Sequence, residues 1–562
     1  MRTALAALAA VPALSVLASA QAGPDLRDRI TWLAADLHDL GRRYDAPMSE
    51  ERRTRLRARL QDEAAAVAAL DFAALPHDAR IDWLLLDNHL RRELAQLDDE
   101  ATADAQVAPV LPFAATIAGL CEARRHLEDV DAAGVASVVA TIETMAERSQ
   151  TELHRGGHDG LPLPVLQRAA DRLAALRSAL RGWFEFRDGY DPLFSWWVRT
   201  PFRDADEQLA ALHADLRKRG SGADDSSLIG DPIGEAALLR ELRSEWIPYT
   251  PAELVAIAER EFAWCDAEMA KAAAELHCAD WREALTLVKK NSRAPGEQPA
   301  LIRELAHEAI AFLDARELVT IPPLARECWR MSMMSREVQR TNPFFLGGQT
   351  IQVSFPVDAM THDEKVAALR SNNEHFCRAT VHHELIPGHW LQQWYQARWR
   401  PWREPFATPF WMEGWALYWE MRLYALGFAG SAADRVGMLY WRKHRCARIV
   451  FSLEFHLGRW TGPQCVDYLV DRVGHERAAA EAEVRRSVSG AYGPLYQAAY
   501  MLGGMQLLAL HGEMVGSGML TERAFHDRVL QQNSLPIAVL RAALSTVPPD
   551  RGLPAWRFAD RR

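Results

Sequence analysis

From Asp25 to about Arg217, apolar residues recur at steps of three and four with Arg, Asp and Glu between them. DRITWLAADLHDLGRRY (28–44), RIDWLLLDNHLRRELAQL (80–97) and VLQRAADRLAALRSALRGWFEF (165–186) are the clearest cases. At that period a helix turns one face inward, so these stretches predict amphipathic helices of a bundle whose charged faces are solvated. The pattern stops at KRGSGADDSSLIGDPIG (218–234), where Gly, Ser and Asp predict a loop and a lobe boundary near residue 230. Helices resume at residue 238, and Thr250, Pro251 and Glu253 supply a cap, a first-turn proline and an acid at the third helical position. Alternation at period two is clearest in TIQVSF (350–355), just after Gly347 and Gly348, which predicts a strand whose edge can pair with an extended peptide. Thr361 with Glu364, then Ser371 with Glu374, predict two more helix starts, the second opening the helix that runs into VHHELIPGHW (381–390).

No fixed-period repeat interrupts this, which argues against a solenoid. A chain of 562 residues exceeds the roughly 250 to 300 at which one core stops growing. The expectation is a mainly α protein of two lobes, residues 21–230 and 231–562. A formal charge of −10 gives no footing for nucleic acid, which binds through clustered Lys and Arg. Small or neutral partners fit better. Residues 1–20 begin with Arg2, continue as an apolar run from Ala4 to Leu17 and end in Ala18-Ser19-Ala20, the layout of a signal peptide. The run is shorter than the ~20 residues of a spanning helix, and no cysteine follows it to carry a lipid. A periplasmic or secreted protein is therefore expected. The seven cysteines show no C-x-x-C pair; Cys265 and Cys278 are the nearest to a bridge, and buried free thiols are the expectation for most.

Chemistry concentrates in VHHELIPGHW. Two zinc-binding histidines on one helix face are four residues apart, with a glutamate after the first. Here His383 and His389 are six apart, ~240° and ~9 Å on an ideal helix, too far to share one ion. Pro387 forbids that helix, since its ring would clash with the carbonyl of His383, and Gly388 tolerates unusual angles. A two-residue bulge at Pro387-Gly388 is expected to return His389 to the missing position. A third ligand is available from TPFWMEGWALYWEMRLYALG (408–427), where Thr408 caps, Pro409 starts and Gly427 ends a helix. Glu413 lies there on an apolar stripe, and a buried carboxylate needs a partner. Glu420, seven residues on, is a competing ligand or a supporting group. By spacing alone, a helical stripe of His375, His382 and His389 stays equally open. The tryptophans at 390, 394, 399, 402, 411, 415 and 419 are expected in the core, an aromatic subsite being the rarer outcome.

With His383, Glu384, Pro387, Gly388 and His389 followed by Glu413, Gly414, Trp415 and Ala416, the chain resembles the bacterial family catalogued as domain of unknown function 885. That family is similar at a distance to zinc carboxypeptidases of the Taq type. The likeness extends to PFFLGG, LGRWTGPQCVDYLVDR, Pro494 with YMLG (500–503) and FHDRVLQQNSLPIAVL. One departure is Leu495-Tyr496, where the family usually has Gly-Gln. The resemblance implies a two-lobed, helical, gluzincin-like metallopeptidase with a cleft and a small β element beside the active-site helix. On that reading His383, His389 and Glu413 bind Zn²⁺, Glu384 takes a proton from water, and Tyr500 or Tyr496 stabilises the oxyanion of a short peptide substrate. Arg485 and Arg486 are read as a solvated pair, with a carboxylate clamp as the alternative. A non-peptide amide hydrolase and a non-catalytic binding protein remain the rival functions.

Overall fold

Helices fill most of the chain in the computed structural model, which describes residues 25–560 except 159, 221–227, 342, 343 and 491. The expected leader, residues 1–20, and much of the expected loop at 218–234 lie outside the described residues. The three most periodic stretches form the helices Leu26–Arg43, His77–Val107 and Leu163–Glu185. Asp25 caps the first by accepting from the Asp28 N–H at 2.9 Å, and Ile30 and Leu33 turn inward one step apart, as a three-residue apolar step requires. Thr250 with Glu253 and Thr361 with Glu364 form reciprocal capping boxes. The box expected from Ser371 and Glu374 does not form. Ser371 ends the helix His362–Ser371, and Asn373 caps the next by accepting from the N–H groups of His375 and Phe376.

Apolar side chains gather into two clusters. The smaller is built from residues 107 to 216 together with Ala46, and in it Leu173, Leu176 and Leu180 face Leu209, Leu212 and Leu216. The larger takes apolar residues from 26 to 97 and again from 228 to 559, so the chain leaves the main core along His77–Val107 and returns to it. A fully buried ion pair secures that return, Arg403 Nε donating to Asp82 Oδ1 at 2.7 Å. The seven cysteines are free thiols, five of them buried, and Cys265 and Cys278 form no bridge.

One small sheet interrupts the helices. Strand β1, Arg330–Met333, runs parallel to β2, Thr350–Val353, with Met331 opposite Ile351. On the far side of β2, Leu346 and Gln352 exchange two backbone hydrogen bonds of 3.1 and 2.8 Å. The strand expected at TIQVSF therefore exists over Thr350–Val353, paired with β1 along one edge and bridged at Gln352 on the edge expected to meet a peptide. Residues 344–347 precede β2 in the chain, and Leu346 among them carries that bridge.

Candidate metal centre

The helix Glu374–Glu384 ends at Glu384, and a new helix, His389–Gln396, begins at the second motif histidine. Between them the backbone turns sharply at Leu385 and Gly388, and the Gly388 N–H reaches back to the carbonyl of His382 at 3.0 Å. A Cβ on Gly388 would sit 1.8 Å from the His383 carbonyl oxygen, so only glycine fits here. The Pro387 carbonyl accepts from the indole N–H of Trp415 at 2.8 Å, which ties the bulge to the glutamate-bearing helix Pro409–Ala425. The bulge does what the spacing demands. It brings the two imidazoles to a ring separation of 4.8 Å, perpendicular to each other.

Glu413 completes the group. Its helix crosses Tyr496–Met514 at glycines: a Cβ on Gly414 would lie 2.7 Å from Gly503, and one on Gly503 would lie 2.2 Å from the Phe410 carbonyl oxygen. That contact sets Glu413 beside Tyr496, whose hydroxyl donates to Glu413 Oε1 at 2.5 Å. The other oxygen, Oε2, is buried without a hydrogen-bond partner, 3.2 Å from His389 Nε2 and 3.6 Å from His383 Nε2. Ligand atoms at about 2.05 Å from a tetrahedral ion are about 3.3 Å apart. An orphaned buried oxygen between two imidazole nitrogens at that spacing can serve a cation together with them. Ligand atoms of His383, Glu384 and His389 also lie within 4.8 Å of one another, so Glu384 adjoins the same point.

Glu420 meets the other nitrogen of the His383 ring. Its Oε1 sits 2.6 Å from His383 Nδ1, which fixes the tautomer and turns Nε2 toward Glu413. Arg445 approaches the same oxygen at 3.4 Å. The charges follow from this packing. Burial alone lowers the His383 pKa, but Glu413 and Glu420 outweigh it and hold the imidazolium up at about 9. Burial raises Glu413, and the neighbouring His389 and His383 pull it well below the usual carboxylate range. Glu384 is raised by burial in spite of both histidines. Tyr500, packed flat at 6.2 Å from the His383 ring, is pushed up to about 12 by burial and stays a neutral donor.

His375 and His382 do not join the centre. His375 pairs with Asp434 at 2.7 Å, and His382 donates to the Arg378 carbonyl at 2.7 Å, so the stripe of three histidines dissolves. A second cluster, His511, Glu522 and His526, is a hydrogen-bond network: both nitrogens of His526 are engaged, by the Leu318 carbonyl and by the Tyr418 hydroxyl, each at 2.7 Å. The centre opens on a cavity of about 310 Å³ lined by residues 344–347, the motif side chains, Tyr492, Tyr496 and Tyr500. Of the seven tryptophans expected in the core, Trp390, Trp394, Trp411, Trp415 and Trp419 are buried and Trp399 and Trp402 are half-buried against it, and the cavity is lined by Trp441 instead. Arg445, Arg448 and Arg486 line it as well, while Arg485 faces solvent. Arg445 and Arg448 were beyond a motif search. Their signal is periodic: Trp441, Arg445 and Arg448 fall at steps of four and three on a helix, Ala432–His456, that is buried on nearly every side.

Residues 37–544 match the family described as bacterial protein of unknown function (DUF885). A solved structure provisionally described as a lipoprotein of unknown function from Shewanella oneidensis is similar at 17% identity, with a TM-score of 0.68 over 92% of this chain and 99% of that one. A second, provisionally described as a lipoprotein from Colwellia psychrerythraea, is similar at 16% identity, with a TM-score of 0.59 over 92% and 98%. A comparison with curated proteins finds no match. Among the described residues no helix is long and apolar enough to cross a membrane.

Proposed function

We propose that this chain, which belongs to the DUF885 family of bacterial proteins, is a zinc-dependent hydrolase of peptide bonds in short peptides. The observation that carries the reading is Glu413 Oε2, buried without a partner between two imidazole nitrogens, with Glu384 beside them. The residues fit the ion: two histidines and a glutamate are a hydrolytic zinc set that leaves a fourth position open. A purely structural site has no use for a further carboxylate at that position. A gluzincin-like fold is supported by the ligands themselves, two from one interrupted helix and one from the long helix that follows.

Zn²⁺ held by His383, His389 and Glu413 would supply Lewis acidity toward a carbonyl and acidify water. The protein's own groups do the rest. Glu384, its pKa raised by burial, accepts the proton of the attacking water and passes it to the leaving amine. Tyr500 donates to the oxyanion as charge develops. Tyr496 is committed to Glu413 and so holds a ligand in place, a role distinct from the one expected of it. Glu420 keeps His383 in register. Export from the cytoplasm is supported by the leader-like residues 1–20 and by the names of the two solved relatives.

Incubating the zinc-loaded protein with a mixed peptide library and reading products by mass spectrometry tests the proposal. Cleavage that disappears in Glu384→Gln while zinc is retained is the expected result. An uncut library sinks the peptidase reading, and zinc retained without peptide cleavage would move the substrate to a non-peptide amide. Failure to hold zinc at all would leave a binding protein.

A further inference from the structure

The cavity is electrically two-ended. Its acidic lining residues, Glu384 and Glu413, are both at the metal centre, and its other wall carries the guanidinium groups of Arg445, Arg448 and Arg486. Arg445 and Arg448 are 5% and 2% exposed, a costly state for charged groups without full compensation. Their counterions are too few. Arg448 Nε pairs with Glu483 at 2.7 Å, while Arg445 has a 3.4 Å contact with Glu420, whose same oxygen already serves His383. Each of the three guanidiniums keeps one solvent-excluded nitrogen with no acceptor. The imidazoles behind Glu483 add no counterion: His475 bonds to His444 at 2.9 Å and to the Tyr440 hydroxyl at 3.0 Å, and burial keeps both rings neutral.

Position gives the excess charge a meaning. Tyr500 adjoins both ends: its ring lies 6.2 Å from that of His383 and 4.3 and 4.7 Å from the Arg448 and Arg445 guanidinium carbons. An amino acid residue spans about 3.5 Å along an extended chain, so one or two residues bridge from the reacting centre to the arginines. Planar guanidinium groups match a carboxylate better than any other common anion of a peptide.

We propose that Arg445, Arg448 and Arg486 form a subsite for a free terminal carboxylate, so that the substrate is a short peptide with an unblocked carboxyl end lying one or two residues beyond the cleaved bond. This rests on the peptidase reading and narrows it to removal of carboxyl-terminal residues. Two measurements test it on the mature, full-length chain. The first compares hydrolysis of one set of peptides as free acids and as carboxyl-terminal amides, in wild type, Arg486→Gln and the solvent-facing control Arg485→Gln. The second titrates N-acetylalanine and N-acetylalaninamide into the metal-free protein by calorimetry. Loss of a charged hydrogen bond predicts acids cut about 10- to 100-fold faster than amides, a preference erased in Arg486→Gln and kept in Arg485→Gln. N-acetylalanine should bind and its amide should not. Acids and amides cut alike, or acid and amide bound alike, would overturn the carboxylate subsite. If no peptide is cut in either form, the peptidase reading fails, and the calorimetric arm alone decides whether the arginines hold a carboxylate.

Discussion

The ranking of zinc affinities among three carboxylate variants tests the assignment of roles in the centre. Glu413→Gln removes a charged ligand oxygen and leaves a buried amide between two imidazoles. Glu420→Gln keeps an acceptor shape but takes away the charge that the His383 Nδ1–H meets at 2.6 Å, in a place only 5% exposed. Partners of ligating histidines are worth about 10- to 100-fold in metal affinity, which is about 1.4 to 2.7 kcal/mol and agrees with a single charge-assisted hydrogen bond. Glu384→Gln removes a neighbour that, in the assigned role, touches no metal. Chelator competition on purified apoprotein should therefore give wild type and Glu384→Gln equal within a few-fold, Glu420→Gln weaker by about 10- to 100-fold, and Glu413→Gln weaker still. If Glu384→Gln loses zinc as completely as Glu413→Gln, then Glu384 is itself a ligand and the division of roles is wrong. If Glu420→Gln binds like wild type, the imidazole needs no anchor and the structural reasoning about His383 fails.

Gly388→Ala places a methyl group 1.8 Å from the His383 carbonyl oxygen, and relief of the clash must move one ligand relative to the other. We expect about 1–3 kcal/mol lost in urea denaturation and markedly weaker zinc binding, and wild-type affinity would refute the need for the bulge. Tyr500→Phe should lower kcat about 10²- to 10³-fold at unchanged zinc content, whereas Tyr496→Phe should act mainly on zinc affinity; the reverse split in steady-state kinetics and metal analysis would exchange their roles. Glu245, buried and raised to about 7 by desolvation against Arg92 and its hydrogen bond from Thr408, binds its proton more tightly folded than unfolded. Its contribution is thus complete below pH about 4.5 and falls away as pH rises to about 7, by about 3 kcal/mol in total. Urea unfolding should show wild type losing that much relative to Glu245→Gln between those limits, and a pH-independent difference would exclude it.

Local rules were enough for most of the helices and for two of the three capping boxes. Periodicity marked the inward faces, Thr250 and Thr361 announced their capping boxes, and Pro387-Gly388 announced a break, because each depends on residues within one turn of each other. The same rules misjudged Ser371, since a cap acts only where the preceding helix has ended, and Asn373 stood past that end. They also left Glu413 and Glu420 undecided. The two lie on one face of one helix, and only the position of His383 against that face separates an oxygen at Nε2 from an oxygen at Nδ1. The arginine wall was equally out of reach. Arg445, Arg448 and Arg486 come from two helices and become a single charged surface only when packing brings them together and buries them out of water. Hydrogen bonding and steric exclusion act over a few ångströms and are written in neighbouring residues. Convergence of distant side chains is set by how helices cross, here at Gly414 and Gly503, and that is decided by the three-dimensional packing of the whole chain.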